Sequence, residues 1–214
     1  MPKYILLKFL NCFSALLHAN IGNEVGATIT QDWIESMVKI HENSQNHNEN
    51  GSKELDNYMM FTAYLYTFQV ITCDLIFDLL KKFVNEFNIK NIELIILTLR
   101  LVGFNLRKDD PSELRSIILD IQKKSSNEES SSDLSSSRVK FMLETLMAIK
   151  NNNVKKMPNY DPSHQIHLMK VMKNYIRPGA DLIPLKVRLE DLLQAETRGK
   201  WWIVGSAWSG RENR

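Results

Sequence analysis

Cysteine is nearly missing from this sequence: two residues, Cys12 and Cys73, in a chain of 214. Two thiols cannot build a disulfide framework or complete a zinc cluster, and each lies in an apolar stretch. Both are therefore expected as buried free thiols of a reducing compartment. Glycine and proline are also scarce, at eight and six, which leaves little material for the many turns of an all-β chain. No apolar run approaches the ~18 residues that a membrane-spanning helix needs. The opening MPKYILLKFLNCFSALLHA imitates a secretory leader. Lys8 interrupts its apolar run, however, and His18 stands beside the small residue Ala19, which argues against secretion. Net charge is nearly absent as well, at +2. That small figure hides an asymmetry: residues 1–137 carry −5 and residues 138–214 carry +7. A basic C-terminal part points to a solvated basic face or to an acidic or nucleic-acid partner.

What is present is helical periodicity. Ile92, Ile95, Ile96 and Leu99 fall at i, i+3, i+4 and i+7. So do Leu114, Ile117, Ile118 and Ile121, and Val139, Met142, Leu143 and Leu146, the last series continued by Ile149. Leu168, Val171, Met172, Tyr175 and Ile176 make a further stripe. Asp110-Pro111-Ser112-Glu113 reads as an N-cap with proline at the first helical position, and Asp161-Pro162 repeats the start. Residues 55–87 are long for one helix. A cut at Val70-Ile71-Thr72, with Thr72 as cap, gives an antiparallel pair near 55–69 and 73–87. The next pair is expected at 91–102 and 111–124, with Gly103 as a C-terminal cap of positive φ. Ser136 or Ser137 is expected to cap a helix beginning near Arg138. Two segments rich in Asn, Ser and acid, about 41–54 and 125–137, are expected as mobile loops. The fold class is all-α. Pairs of about 40 residues suggest a HEAT-like α-solenoid of antiparallel helix pairs with a short Trp-containing extension, and a single up-down bundle fits the same stripes.

Catalytic motifs fail on inspection. His164 and His167 are spaced as metal ligands can be, but no Cys or His cluster completes the set. Gly199-Lys200 lacks the phosphate-loop pattern, since Gln194 stands where glycine is needed and Trp201 where Ser or Thr is needed. Gly205 to Gly210 is no nucleophile elbow. Asp110 of the Asp109-Asp110 pair is explained as a helix cap. No catalytic residue, metal or cofactor is nominated.

Binding features are better represented. Arg107-Lys108-Asp109-Asp110 makes a charged turn, of the kind that lines one edge of a solenoid. Arg138 and Lys140 open a helix, and Lys155, Lys156, Lys170, Lys173 and Arg177 carry the later basic excess. Three of the four tryptophans crowd into GKWWIVGSAWSG, residues 199–210. Burial of one indole is worth on the order of 5 kcal/mol by area before entropy is subtracted, so a loose tail is disfavoured. A short helix from Leu189 to Thr197, ended by Gly199, is expected to lead Trp201 and Trp202 back onto the last helices. Gly205 is expected to allow the close approach, with Trp208 left least covered.

Several stretches together resemble a known family. Ser136-Ser137-Arg138-Val139-Lys140-Phe141-Met142-Leu143-Glu144 is similar to a signature helix of the MIF4G domain, the HEAT-repeat middle domain of translation initiation factor 4 gamma. Gly22 to Ala27, Ala63 to Phe68, Val102 to Asp110, Pro158 to Pro162 and Gly199 to Trp208 follow the nucleolar MIF4G domain-containing family in order and spacing. The resemblance implies a partial MIF4G-type repeat domain over 1–153 and a basic helical extension over 154–214. It implies a non-catalytic scaffold of small-ribosomal-subunit biogenesis and pre-rRNA processing, in the nucleolus or nucleus. Its implied partners are a DEAD-box RNA helicase of the initiation-factor 4A kind and pre-ribosomal RNA. It also implies that a full-length relative carries a charged N-terminal region, earlier helices and a second helical domain, so that this chain begins inside the second repeat. A direct RNA-binding module, or a truncated product without function, is the alternative. Turn position and charge nominate Arg107, Lys108, Asp109, Arg138, Lys140, Lys155, Lys156, Lys200, Trp201, Trp202 and Trp208 for partner or RNA contact.

Overall fold

The computed structural model describes residues 3–46, 52–127, 133–157 and 160–203. Seven long helices come first: α1 (Lys3–Ile21), α2 (Asn23–Asn46), α3 (Ser52–Thr67), α4 (Cys73–Asn85), α5 (Ile89–Asp109), α6 (Pro111–Asn127) and α7 (Asp133–Lys150). A 3-10 turn, Val154–Lys156, leads to α8 (Ser163–Lys173), α9 (Leu189–Leu193) and α10 (Ala195–Arg198). Among the described residues there is no strand, only an isolated parallel bridge between Ile71 and Leu185.

The odd-numbered helices α1, α3, α5 and α7 lie side by side in one layer, and α4 and α6 lie together in a second. Every helix from α1 to α7 meets its sequence neighbour, and α1, α3, α4 and α5 each meet the helix two places on, which is the packing of an α-solenoid rather than of a four-helix bundle. The apolar stripes supply the seam. Ile92, Ile95, Leu99, Leu114, Ile117, Ile121, Met142, Leu146 and Ile149 are all buried. The largest fully buried rings, Tyr64, Phe68, Phe77 and Phe83, belong to α3, α4 and the turn after α3.

The predicted break before α4 is present, with Thr72 at the N-cap. Its hydroxyl donates to the Asp74 carboxylate at 2.7 Å rather than satisfying a backbone amide. Asp110 caps α6 as expected: its Oδ1 accepts from the Ser112 and Glu113 amides at 3.1 and 2.9 Å and from the Ser112 hydroxyl at 2.7 Å. Asp161 Oδ1 accepts from the Ser163 amide at 2.9 Å, and α8 begins at Ser163.

Several boundaries differ from the sequence reading. Gly103 is no cap but a buried residue inside α5, where Ile149 of α7 crosses: a Cβ there would lie 2.4 Å from Ile149 Cδ1. Close helix approach, not turn geometry, explains this glycine. The polar segments are more helical than their composition suggests. α2 runs to Asn46 and α3 starts at Ser52, while α6 runs to Asn127 and α7 starts at Asp133, ahead of the expected serine cap. His41, placed in a loop by its polar neighbours, is buried in α2 and bonds Asn91 Oδ1 at 2.7 Å. α8 stops at Lys173, so Tyr175 is exposed and only Leu168 and Met172 of its stripe are buried. Cys12 is buried, but Cys73 is only half-buried.

The segment after α7 runs back along the solenoid. Tyr160 meets Phe104 at 5.0 Å between ring centroids, and α8 packs on α1. The Arg177 amide donates to Asn20 Oδ1 at 2.8 Å. His18 Nε2 donates to the Ile183 carbonyl at 2.9 Å, and Leu185 exchanges backbone bonds with Val70 and Thr72. Arg188 then pairs with Asp78 at 2.7 Å and Asp74 at 3.5 Å, and α9 wedges against both α2 and α4.

Candidate interaction surface

Arg107, Lys108 and Asp109 form the last turn of α5, not an inter-helix loop, and Asp110 alone joins α5 to α6. A loop was expected because Gly103 looked like a terminus. The 21-residue length of α5 carries these charges to the edge where the α5–α6 link and the end of α7 meet. Arg107 Nε donates at 3.3 Å to the carbonyl of Lys150, the last residue of α7. A cation there satisfies an otherwise unpaired C-terminal carbonyl and opposes the negative end of the helix dipole.

Between these ends lies a pocket of about 620 Å³. Arg107, Arg115 and Lys150 stand at its wall, and Leu114, Ile118 and Leu119 supply apolar surface. Leu114 and Ile118 are buried, whereas Leu119 is 57% exposed. Among the described residues no carboxylate lines this pocket. The acids nearby are already engaged: Glu113 pairs with Lys81, Asp110 caps α6 and Asp109 accepts from Tyr66. Backbone and hydroxyl donors hold the Asp110 carboxyl below its usual range.

On the other flank of the same turn is a pocket of about 420 Å³. The Tyr66 hydroxyl donates to Asp109 Oδ2 at 2.6 Å, and Lys108, Asn105 and Cys73 share the wall. Burial first, and then the Asp109 charge, raise the Tyr66 phenol well above its ordinary range. Burial likewise pushes the Cys73 thiol up. Met169 and Pro184 of the C-terminal segment close this side, so it is a seam between solenoid and extension.

The other nominated residues lie elsewhere. Arg138 bonds Glu93 of α5 at 2.6 Å. It and the exposed Lys140 are about 18 and about 15 Å from Lys150 at 1.5 Å rise per residue. Lys155 and Lys156 are exposed in the turn just after α7. Trp201 and Trp202 are half-buried against the core, Trp201 toward α2 instead of the last helices. Trp201 Nε1 donates to Gln31 Oε1 at 2.7 Å, and Gln31 Nε2 donates to the Leu192 carbonyl at 2.8 Å. The two indoles pack edge to face at 5.3 Å, with the Lys200 ammonium 5.6 Å from the Trp202 ring. Gly199, at φ +91°, ends α10 and turns the chain there. The expected single helix is broken at Gln194 into α9 and α10. Trp208 and Gly205 lie outside the described residues.

Sequence reasoning missed Arg115 and Lys150. Their signal was available: Arg115 is four residues before the exposed Leu119, and Lys150 directly follows the last residue of the α7 stripe. Among the described residues no group of three His, Cys, Asp or Glu side chains could hold a metal, and no helix is long and apolar enough to cross a membrane.

Comparison with known proteins fits this architecture. The MIF4G domain family model matches residues 6–153. The human Nucleolar MIF4G domain-containing protein 1 is 40% identical over 213 residues, which cover 98% of this chain and 24% of that protein. The Drosophila melanogaster homolog is 35% identical over 199 residues, 92% of this chain and 23% of that protein. Suppressor of glycerol defect protein 1 of Schizosaccharomyces pombe is 29% identical over 198 residues, 90% of this chain and 25% of that protein. The chain thus spans about a quarter of the length of the curated relatives it matches. No solved structure matches.

Proposed function

The chain belongs to the MIF4G domain family, and from that membership we propose that it is a scaffold of small-ribosomal-subunit biogenesis that binds a DEAD-box RNA helicase of the initiation-factor 4A kind. MIF4G domain proteins are in general non-catalytic adaptors, and no enzyme family is indicated. Human, mouse and fly relatives are named nucleolar proteins or a homolog of one, and the nucleolus and nucleus are this chain's compartments by that kinship. The observation that carries the proposal is the MIF4G match over residues 6–153 of a layered helical solenoid. Its α5–α7 edge leaves Arg107, Arg115 and Lys150 without a carboxylate in the pocket they share. A rigid helical array can hold two mobile lobes in one relative arrangement. It activates a helicase only to the extent that it binds that arrangement better than the others. A pull-down with the chain as bait against nucleolar DEAD-box helicases tests this. Retention of one is expected, and retention of none sinks the proposal.

A second reading, direct RNA binding, is favoured by one observation. The excess positive charge of residues 138–214 includes Lys155, Lys156, Lys170, Lys173 and Arg177, all exposed. If phosphate contacts dominate, the logarithm of affinity falls linearly with the logarithm of salt concentration, at about −0.7 per phosphate for single strands. A titration with no salt slope removes this reading.

A further inference from the structure

We propose that the pocket between the ends of α5, α6 and α7 is a docking site for a linear acidic-aliphatic segment of a protein partner. This site stands whether or not a helicase is the scaffold's cargo. Three cations, Arg107, Arg115 and Lys150, converge on it from three helices, and no described side chain supplies a carboxylate to its wall. Its apolar surface is aliphatic: Leu114 and Ile118 lie deep, and Leu119 is 57% exposed. An aliphatic side chain laid across Leu119 removes apolar area from water on both partners. Flanking Asp or Glu side chains meet guanidinium forks, which suit carboxylates in bidentate geometry.

RNA is the weaker occupant on chemical grounds. Single-stranded RNA is held by stacking its bases on aromatic rings or guanidinium planes. Among the described residues no aromatic side chain lines this pocket, so only the guanidinium planes of Arg107 and Arg115 could stack a base, against an aliphatic wall of Leu114, Ile118 and Leu119. Arg107 spends its Nε on the Lys150 carbonyl at the α7 terminus, which fixes its stem and orients the rest of the fork. At about 620 Å³ the volume is that of a pocket for one or two anchoring side chains. Such a site reads a short motif, in the manner of charge-plus-anchor recognition.

Fluorescence anisotropy with the intact chain tests the proposal. The probe is a fluorescein-labelled glutamate-rich peptide carrying two leucines, and the control is the same peptide with both leucines replaced by serine. The leucine peptide is expected to bind about tenfold tighter than the serine control or better. Leu119→Ser and Arg115→Glu should each weaken it about tenfold. Both positions are exposed, so the helical circular dichroism and melting should stay as in the parent. Oligouridine of equal charge should not displace the peptide. Equal binding of the two peptides would mean general electrostatics and overturn the proposal. Displacement by oligouridine would overturn it in favour of RNA. Absence of binding, or variants that fold and bind like the parent, would overturn it outright.

Discussion

Gly103 and Ile149 occupy one volume between α5 and α7, where a side chain on one excludes the outermost methyl of the other. Alanine at a helix interior normally gains about 1 kcal/mol over glycine. Here the added Cβ would meet a fully buried isoleucine, so Gly103→Ala should lose that gain and destabilise. In an Ile149→Val background the obstructing methyl is gone. A double-mutant cycle by urea unfolding should therefore return a coupling of about 1–2 kcal/mol between the two sites. His18 is held in a similar way: a Cβ on Gly26 would lie 2.4 Å from its Nδ1, and its Nε2 serves the Ile183 carbonyl. Nδ1 is buried without a partner, so a proton there would gain nothing. Burial lowers the His18 pKa below its ordinary 6.5, and the bond to Ile183 only partly opposes this. The unfolded chain then takes up a proton as pH falls through about 6.5 while the folded one does not. Stability is full above that pH and declines below it. His18→Asn should lower stability overall yet flatten its decline between about pH 7.5 and 5.5, as read by urea titration.

At the scale of elements, the helices were legible because burial in a two-layer solenoid repeats one apolar face. The stripes at 92–99, 114–121 and 139–149 are the seam itself. Their ends were not legible where a residue type has two physical uses. Glycine serves close packing as well as caps, which misplaced the end of α5, expected at 102 and found at Asp109. The polar residues up to Asn46 and Asn127 continue helices rather than ending them. The nominated site was legible only in part for the same reason. Arg107 and Lys108 were found by charge, but Arg115 and Lys150 join Arg107 only through packing of three helix ends. The tryptophan segment shows the limit of local reasoning most plainly. Its need for burial follows from composition, while its target, Gln31 of α2, is 170 residues away in sequence. Trp201→Ala removes that bond and part of a half-buried indole, about 2 kcal/mol of docking. Amide exchange over residues 189–203 should then rise about 30-fold while α5 and α7 stay protected. Uniform loss of protection would instead mean that the extension is part of one cooperative unit.

The whole molecule is an array with two unlike ends. The outer side of α1 exposes Leu6, Phe9, Leu10 and Phe13, a helical stripe on which His164 meets Phe9. The outer face of α1 is thus apolar, unlike the polar outer face of a capping repeat. The chain by itself should therefore associate through α1 as concentration rises. Phe13→Glu should return it to a monomer by sedimentation velocity, with stability changed by less than about 0.5 kcal/mol. The other end, where α5 and α7 finish and α6 begins, carries the cationic pocket, and it is there that a partner is expected. The central claim is that this helical array is a scaffold for a helicase. Isothermal titration of a nucleolar DEAD-box helicase of the initiation-factor 4A kind into the Phe13→Glu chain tests it most directly. A saturable complex with one helicase per chain is the predicted result, and a flat titration across such helicases, with or without nucleotide and RNA, would contradict it.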